Sequence, residues 1–122
     1  MKQNLKKLEK SNTSDELIDE ELFDKQRSTL EIQEKMDEFF DRIWYDRKIV
    51  RFADIKDGLR EEKLSPERLR VIKKAMKSVE KKYGGKSAVL NYYKDDFDWG
   101  MLNGKLSALR WVLGDEWDNL DT

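Results

Sequence analysis

The amino-acid sequence predicts an all-α domain with three main helices, near residues 14–48, 65–83 and 96–113, followed by a short terminal helical turn. Charged residues make up 42% of the 122-residue chain, which contains a single proline, and this composition suits long solvated helices. Apolar residues recur at the helical period in each segment. The last segment is apolar nearly all round, which is typical of a buried helix and predicts that this helix is the central one.

The first helix is predicted to begin at a capping box, because Thr13 is followed three residues later by Glu16. On a helical wheel, eight apolar residues fall within a sector of about 140°: Ile18, Leu22, Ile32, Met36, Phe39, Phe40, Ile43 and Trp44. This single stripe favours one continuous helix over residues 14–48. The alternative is a break near Ser28, which forms a second capping box with Glu31.

Residues 37–52, which cover the end of this helix and the next few positions, are rich in aromatic side chains. An aromatic ring tip and guanidinium stems at the border of an apolar stripe can shield it from water. The inward-facing side chains are predicted to be Phe40, Ile43 and Trp44, and the bordering ones Tyr45, Arg42 and Arg47. Further along, Asp57-Gly58 indicates a turn, and a short helix around Ala53–Glu61 is an alternative.

The second helix has clear boundaries. Ser65 is suited to the N-cap and Pro66 to the first helical position, and the helix should end at Tyr83, before Gly84 and Gly85. One exposed sector collects five cations: Arg70, Lys73, Lys74, Lys77 and Lys81. Such a basic face is either solvated, matched by an acidic protein surface, or available to the phosphates of a nucleic acid.

The last helix carries two apolar faces, which the sequence predicts to be both covered. One is rich in leucine, and the other is flat enough for close approach of a second backbone, since small residues recur every fourth position: Gly100, Gly104 and Ala108, with Trp111 on the same face. This face is expected to pack within the chain or to form a dimer seam. A polar line between the faces, expected to be a structural network or else a ligand-binding line, consists of Asp96, Asn103, Ser107 and Arg110.

Acidic residues stand at both ends of the last helix, with Asp95, Asp96 and Asp98 at its start. Carboxylates can hold Mg²⁺, but acidic side chains also cap the free N–H groups of a helix and favour the positive end of its dipole. The spacing matches no calcium-binding loop. Helix capping is therefore the expected role, and neither a metal nor another cofactor is predicted.

The composition excludes several classes of function. The formal net charge is −1, and there is neither cysteine nor histidine, so thiol chemistry, disulfides and the commonest zinc ligands are absent. The sequence contains no run of about 20 apolar residues, the length that a membrane-spanning helix needs. The lysine-rich start lacks the apolar core of a signal peptide. We expect a cytoplasmic protein with a disordered tail over residues 1–12 and a single helical domain over residues 13–122.

Two blocks of the sequence, EFFDRIWYDR at residues 38–47 and GMLNGKLSALRWVLGDEWDNLDT at residues 100–122, resemble a group of small uncharacterised bacterial proteins that share both blocks. The match covers roughly residues 36–50 and 95–122. This resemblance implies a bacterial, cytoplasmic setting. It implies no activity, cofactor or catalytic residue.

The sequence as a whole predicts a non-catalytic helical interaction protein, an accessory or regulatory subunit that binds a protein partner or a second copy of itself. Four tryptophans are present, and tryptophan dominates many interface hot spots. Trp44, Trp99 and Trp111 are expected in the core, and Trp117 at a partly exposed contact. Nucleic-acid binding through the basic face of the helix at 65–83 is the alternative, and no catalytic motif predicts an enzyme.

Overall fold

The computed structural model describes residues 25–117. Within this range the chain forms four helices and no strand, which confirms the all-α class: α1 Thr29–Lys56, α2 Pro66–Tyr83, α3 Lys86–Leu90 and α4 Asp96–Val112. The contacts divide the chain between Glu31 and Ile32, and the core below belongs to the second unit. The predicted tail, the capping box at Thr13 and the coda after Trp117 lie outside the described residues.

Helix α1 begins at Thr29, and the continuous helix predicted over residues 14–48 is wrong, because the backbone at residues 25–28 is not helical. The Ser28 hydroxyl accepts a hydrogen bond from the Glu31 N–H at 3.1 Å, and the Glu31 carboxylate accepts one from the Ser28 N–H at 3.4 Å. This reciprocal pair is a capping box. The alternative of a break near Ser28 is therefore confirmed.

Helix α1 also runs further than predicted, to Lys56. The Asp57 N–H still donates to the Ala53 carbonyl at 2.9 Å, and Gly58 then adopts a φ of 76°, a left-handed conformation that favours glycine. The short helix predicted around Ala53–Glu61 is thus the last turn of α1 followed by a tight reversal. An extended segment leads from there to Ser65.

The predicted boundaries of α2 and α4 are confirmed. The Ser65 hydroxyl accepts from the Arg68 N–H at 3.2 Å, and Gly84 closes α2 with a φ of 98°. At the start of α4, the Asp95 carboxylate accepts from the Asp98 N–H at 2.9 Å, and Asp98 accepts from the Lys94 N–H at 3.2 Å. The two aspartates therefore cap the helix, as the sequence predicts.

The central helix is α1, which corrects the prediction that the C-terminal helix is central. One cluster of buried side chains joins α1 to α4, and a second joins α1 to α2 and α3, so α4 enters only one of the two. The first consists of Phe39, Ile43, Leu102 and Leu106, and the second of Tyr45, Met76 and Val89. Burial of such side chains supplies most of the stabilising free energy of a small domain.

Because α1 is covered on two sides, its buried arc is wider than the single predicted stripe. Tyr45, predicted at the border of that stripe, is only 1% exposed. Its hydroxyl donates to the Glu80 carboxylate on α2 at 2.8 Å, which satisfies the buried polar tip. Burial, together with this hydrogen bond, raises the pKa of Tyr45 to about 12.

Arg42 on α1 holds α3 in place. Its Nη1 donates to the carbonyl oxygens of Ala88 at 2.8 Å and Val89 at 3.1 Å, and its Nε donates to Glu38 at 3.1 Å. These carbonyls belong to the last turn of α3, where no helical N–H follows to pair with them. A cation on α1 therefore serves as the C-terminal cap of a helix 46 residues away in the chain.

Across residues 25–117, no helix combines the length and the apolar character that crossing a bilayer requires.

Candidate functional site

Among the residues that the structure describes, nothing packs on one face of α4. Outside the helix's own backbone, a Cβ atom built on Gly100 or Gly104 meets no described atom within 4 Å, and Phe97, on the same side, is 74% exposed. Of the two roles expected for this face, packing against residues 25–117 of its own chain is not found, and a dimer seam stays a prediction. We call this surface the open face of α4 and define it by Phe97, Gly100, Met101, Gly104, Ala108 and Trp111.

The open face contains a shallow groove of about 500 Å³. Its floor is made by the small residues Gly100, Gly104 and Ala108, and its charged side chains are Asp96 and Lys105. On a helical wheel these two lie on opposite edges of the face. An exposed apolar surface of this kind, bordered by charge, is characteristic of an interaction site.

Trp111 and Trp117 extend this apolar surface at the C-terminal end of α4. Their rings meet edge to face, with centroids 5.3 Å apart, and they are 53% and 57% exposed. The prediction of Trp111 in the core is wrong, because it shares the open face with the glycines. Trp117 is partly exposed, as predicted. Such large exposed rings commonly anchor protein–protein contacts.

The residues of the predicted basic face lie on the exposed side of α2. Arg70, Lys73, Lys74, Lys77 and Lys81 are all exposed, and none of them forms an ion pair with residues 25–117. The cation of α2 that does pair is Lys82, whose Nζ lies 3.1 Å from the Asp41 carboxylate. The predicted sector of five cations therefore exists, and whether it binds anything stays a prediction.

The residues of the predicted polar line of α4 differ in their exposure and in their described contacts. Asp96 is exposed at the edge of the open face, and the Asn103 amide donates to the Trp99 carbonyl one turn back in the same helix at 2.8 Å. Arg110 turns towards α1, with its guanidinium 5.9 Å from the centre of the Phe40 ring. Ser107 is half-buried. Asn103 and Arg110 thus contact different groups, and whether the four residues act together stays a prediction.

A second concave surface was not anticipated from the sequence. A cleft of about 630 Å³ lies between the C-terminal half of α1, the segment after it, and Trp99 of α4. We call it the cationic cleft and define it by its charged lining, which consists of Arg47, Lys48, Arg51 and Arg60 together with the acids Asp46 and Glu62. The spacing of residues 47, 48 and 51 places these cations on one side of a helix, but only the fold brings Arg60 and Trp99 to them.

The acids of the cationic cleft are already engaged. Both carboxylate oxygens of Glu62 accept from the Arg51 guanidinium, one of them from Nε at 3.0 Å, and Arg60 lies 3.7 Å from the same carboxylate. These contacts, led by the Arg51 hydrogen bonds, hold the pKa of Glu62 below its usual value. Asp46 accepts the hydroxyl of Tyr93.

Lys48 is the cation in this cleft whose pKa is shifted. Burial lowers its pKa, and the nearby positive charges of Arg51 and Arg68 lower it further. Lys48 forms no ion pair with residues 25–117, and its Nζ lies 5.8 Å from the centre of the Trp44 ring. Like charges held together in a concave site are a recognised mark of function.

The acidic residues of the described chain form no group of three or more placed as a metal site requires. The chain matches no protein-family model, no curated protein and no solved structure. The resemblance to small bacterial proteins that share the two sequence blocks therefore stays a prediction.

Proposed function

We propose that this chain is a non-catalytic interaction protein that associates with a second copy of itself through the open face of α4. The observation that carries the proposal is the exposure of this face: Phe97 is 74% exposed, and no other part of the chain within residues 25–117 lies within 4 Å of a Cβ atom at either glycine. Each glycine costs roughly 1 kcal/mol of helix propensity relative to alanine. Close approach of another helix would offset that cost.

The shape of the face favours an antiparallel copy. With a two-fold axis between residues 102 and 103, Phe97 of one chain faces Ala108 of the other, and Gly100 lies within one residue, about 1.5 Å of helix rise, of the level of Gly104. Backbones therefore meet where side chains are smallest, and a large ring lies over a small residue. The same face is used by both chains, as two-fold symmetry requires.

The charges agree with the same arrangement. Asp98 and Lys105 lie on one edge of the open face, because they are seven residues apart. In an antiparallel pair equal edges meet, so that Asp98 of each chain lies beside Lys105 of the other. Within residues 25–117 Lys105 forms no ion pair, and Asp98 accepts only the Lys94 N–H. A pair of intermolecular ion pairs would fix the register rather than supply much affinity.

Sedimentation equilibrium of the purified chain tests the proposal. The wild-type mass is expected to rise from monomer to dimer with concentration, whereas Gly104→Leu should stay monomeric at every concentration because the added side chain blocks close approach. The variant should remain folded, since its Cβ meets nothing within 4 Å, and its monomer should gain about 1 kcal/mol of stability from helix propensity.

A matched control places the same side chain elsewhere. Lys77→Leu, at an exposed position of α2, should dimerise like the wild type. A wild-type chain that is monomeric throughout the concentration range, or a Gly104→Leu variant that dimerises as well as Lys77→Leu, would contradict the proposed self-association.

A second candidate function, nucleic-acid binding through the basic face of α2, is supported by five exposed cations that form no ion pair with residues 25–117. Phosphate contacts weaken steeply with salt, so a gel shift at two salt concentrations tests it. Retardation at low salt that Lys73→Glu and Lys77→Glu abolish would support this candidate. The absence of retardation at low salt would eliminate it.

A further inference from the structure

The charge balance of the cationic cleft is uneven. Four cations line it against two acids, and both acids already accept hydrogen bonds from other groups, Glu62 from Arg51 and Asp46 from Tyr93. Arg68 adds a further positive charge that acts on Lys48. The lining residues therefore carry two more positive charges than negative ones, Lys48 forms no ion pair with residues 25–117, and a bound anion would offset the excess.

The lining groups suit phosphate. Guanidinium groups present N–H donors in a planar fork that matches two phosphate oxygens, while the ammonium of a lysine acts as a compact point charge. Arg47, Lys48 and Arg51 lie within one turn of α1, so their side chains leave neighbouring points of a rigid helix. Surface lysines on a mobile segment would lack this fixed spacing.

Trp99 gives the cleft a second recognition element. Trp99 forms part of the lining, and its ring contacts that of Tyr93, with ring centroids 5.0 Å apart at an angle of 57°. Tyr93 is in turn fixed by its hydrogen bond to Asp46. An aromatic ring held in this way beside cations can stack on the flat group of an organic phosphate.

We propose that the cationic cleft binds a small phosphate ester carrying an aromatic group, of the mononucleotide class, with the phosphate at Lys48 and its neighbouring arginines and the aromatic group at Trp99. A volume of about 630 Å³ lies within the usual range of small-molecule sites. This inference is independent of the association through α4, because the cleft, although it includes Trp99 of α4, uses none of the residues that define the open face.

Isothermal titration calorimetry with three probes tests the site: adenosine monophosphate, inorganic phosphate and adenosine. Adenosine monophosphate is expected to bind with a Kd of about 1 mM or below, inorganic phosphate more weakly, and adenosine not measurably. The nucleotide should also change the tryptophan fluorescence, and Trp99→Phe should abolish most of that change.

Two substitutions that each remove one lysine charge are compared: Lys48→Gln in the cleft tests the site, and Lys77→Gln on the basic face is the control. Lys48→Gln is expected to weaken nucleotide binding about tenfold or more, since a charged hydrogen bond is lost, and it should stay folded because it relieves repulsion. Lys77→Gln on the basic face should bind like the wild type. The absence of binding by both phosphate-bearing probes, or equal losses in the two variants, would overturn the site. Equal affinity for phosphate and nucleotide would overturn the role of Trp99.

Discussion

Replacement of Arg42 by alanine is expected to destabilise the fold by about 2 kcal/mol, because it removes the hydrogen bonds to two carbonyls of α3 and the packing of the guanidinium against two tyrosine rings. The Arg42 side chain is only 11% exposed. It donates to the carbonyls of Ala88 and Val89, and its guanidinium carbon lies 4.7 Å and 4.6 Å from the ring centres of Tyr83 and Tyr92. No other described side chain reaches these two carbonyls in α3.

Urea unfolding followed by circular dichroism measures this effect. Arg42→Lys should recover only part of the loss, since an ammonium cannot reach both carbonyls and lie flat between two rings. Arg70→Ala provides the matched control, because Arg70 is exposed and forms no ion pair with the described residues; it should change stability by less than about 0.5 kcal/mol. A loss for Arg42→Ala as small as that of Arg70→Ala would refute its role as a cap.

The second large effect concerns two adjacent positions of α4. Leu102 is 2% exposed in the cluster with Phe39 and Ile43, whereas Met101 on the open face is 48% exposed. Leu102→Ala is expected to lower the free energy of unfolding by about 3 kcal/mol, since it removes buried methyl groups and leaves a cavity. Met101→Ala should cost well under about 1 kcal/mol in the monomer.

Chemical denaturation at low protein concentration makes this comparison, so that association does not contribute. The difference between the losses in free energy of unfolding at positions 101 and 102 shows whether one face of α4 or both faces are covered within the chain. Equal losses at positions 101 and 102 would mean that the open face is buried within one chain, and the surface inferred from it would not exist.

Helix ends were predictable because capping is local. Ser65 with Pro66 and Asp95 with Asp98 satisfy N–H groups within one turn, whatever the rest of the fold does. The break at Ser28 was less predictable from the sequence. The apolar stripe on both sides of Ser28 indicates one continuous helix, whereas its capping box indicates that a new helix begins there. An apolar stripe that indicates a continuous helix and a capping box that indicates a new helix are signals of similar strength when the packing partners of the helix are unknown.

The position of α4 was not predictable, because a helix that is apolar all round looks the same whether its own chain or another chain covers it. The burial of Tyr45 depended on α1 touching two different partners, which one helical wheel cannot display. The cationic cleft could not be predicted for a similar reason: Lys48, Arg60 and Trp99 are separated in sequence and line one cleft only after the helices pack.

The most direct test of an antiparallel association through the open face is disulfide cross-linking between two single-cysteine variants, which is clean because the chain has no cysteine of its own. In the proposed pair, position 97 of one chain faces position 108 of the other, while equal positions lie about 15 Å or more apart along the helix axes. That separation is too large for a disulfide.

A mixture of Phe97→Cys and Ala108→Cys chains, oxidised in a glutathione buffer and resolved by mass, is therefore predicted to give the mixed disulfide dimer, with little product from either variant alone. Cross-linking of Phe97→Cys with itself as readily as in the mixture would contradict the antiparallel register. Cross-linking in the mixture no greater than with Lys77→Cys would contradict the association itself.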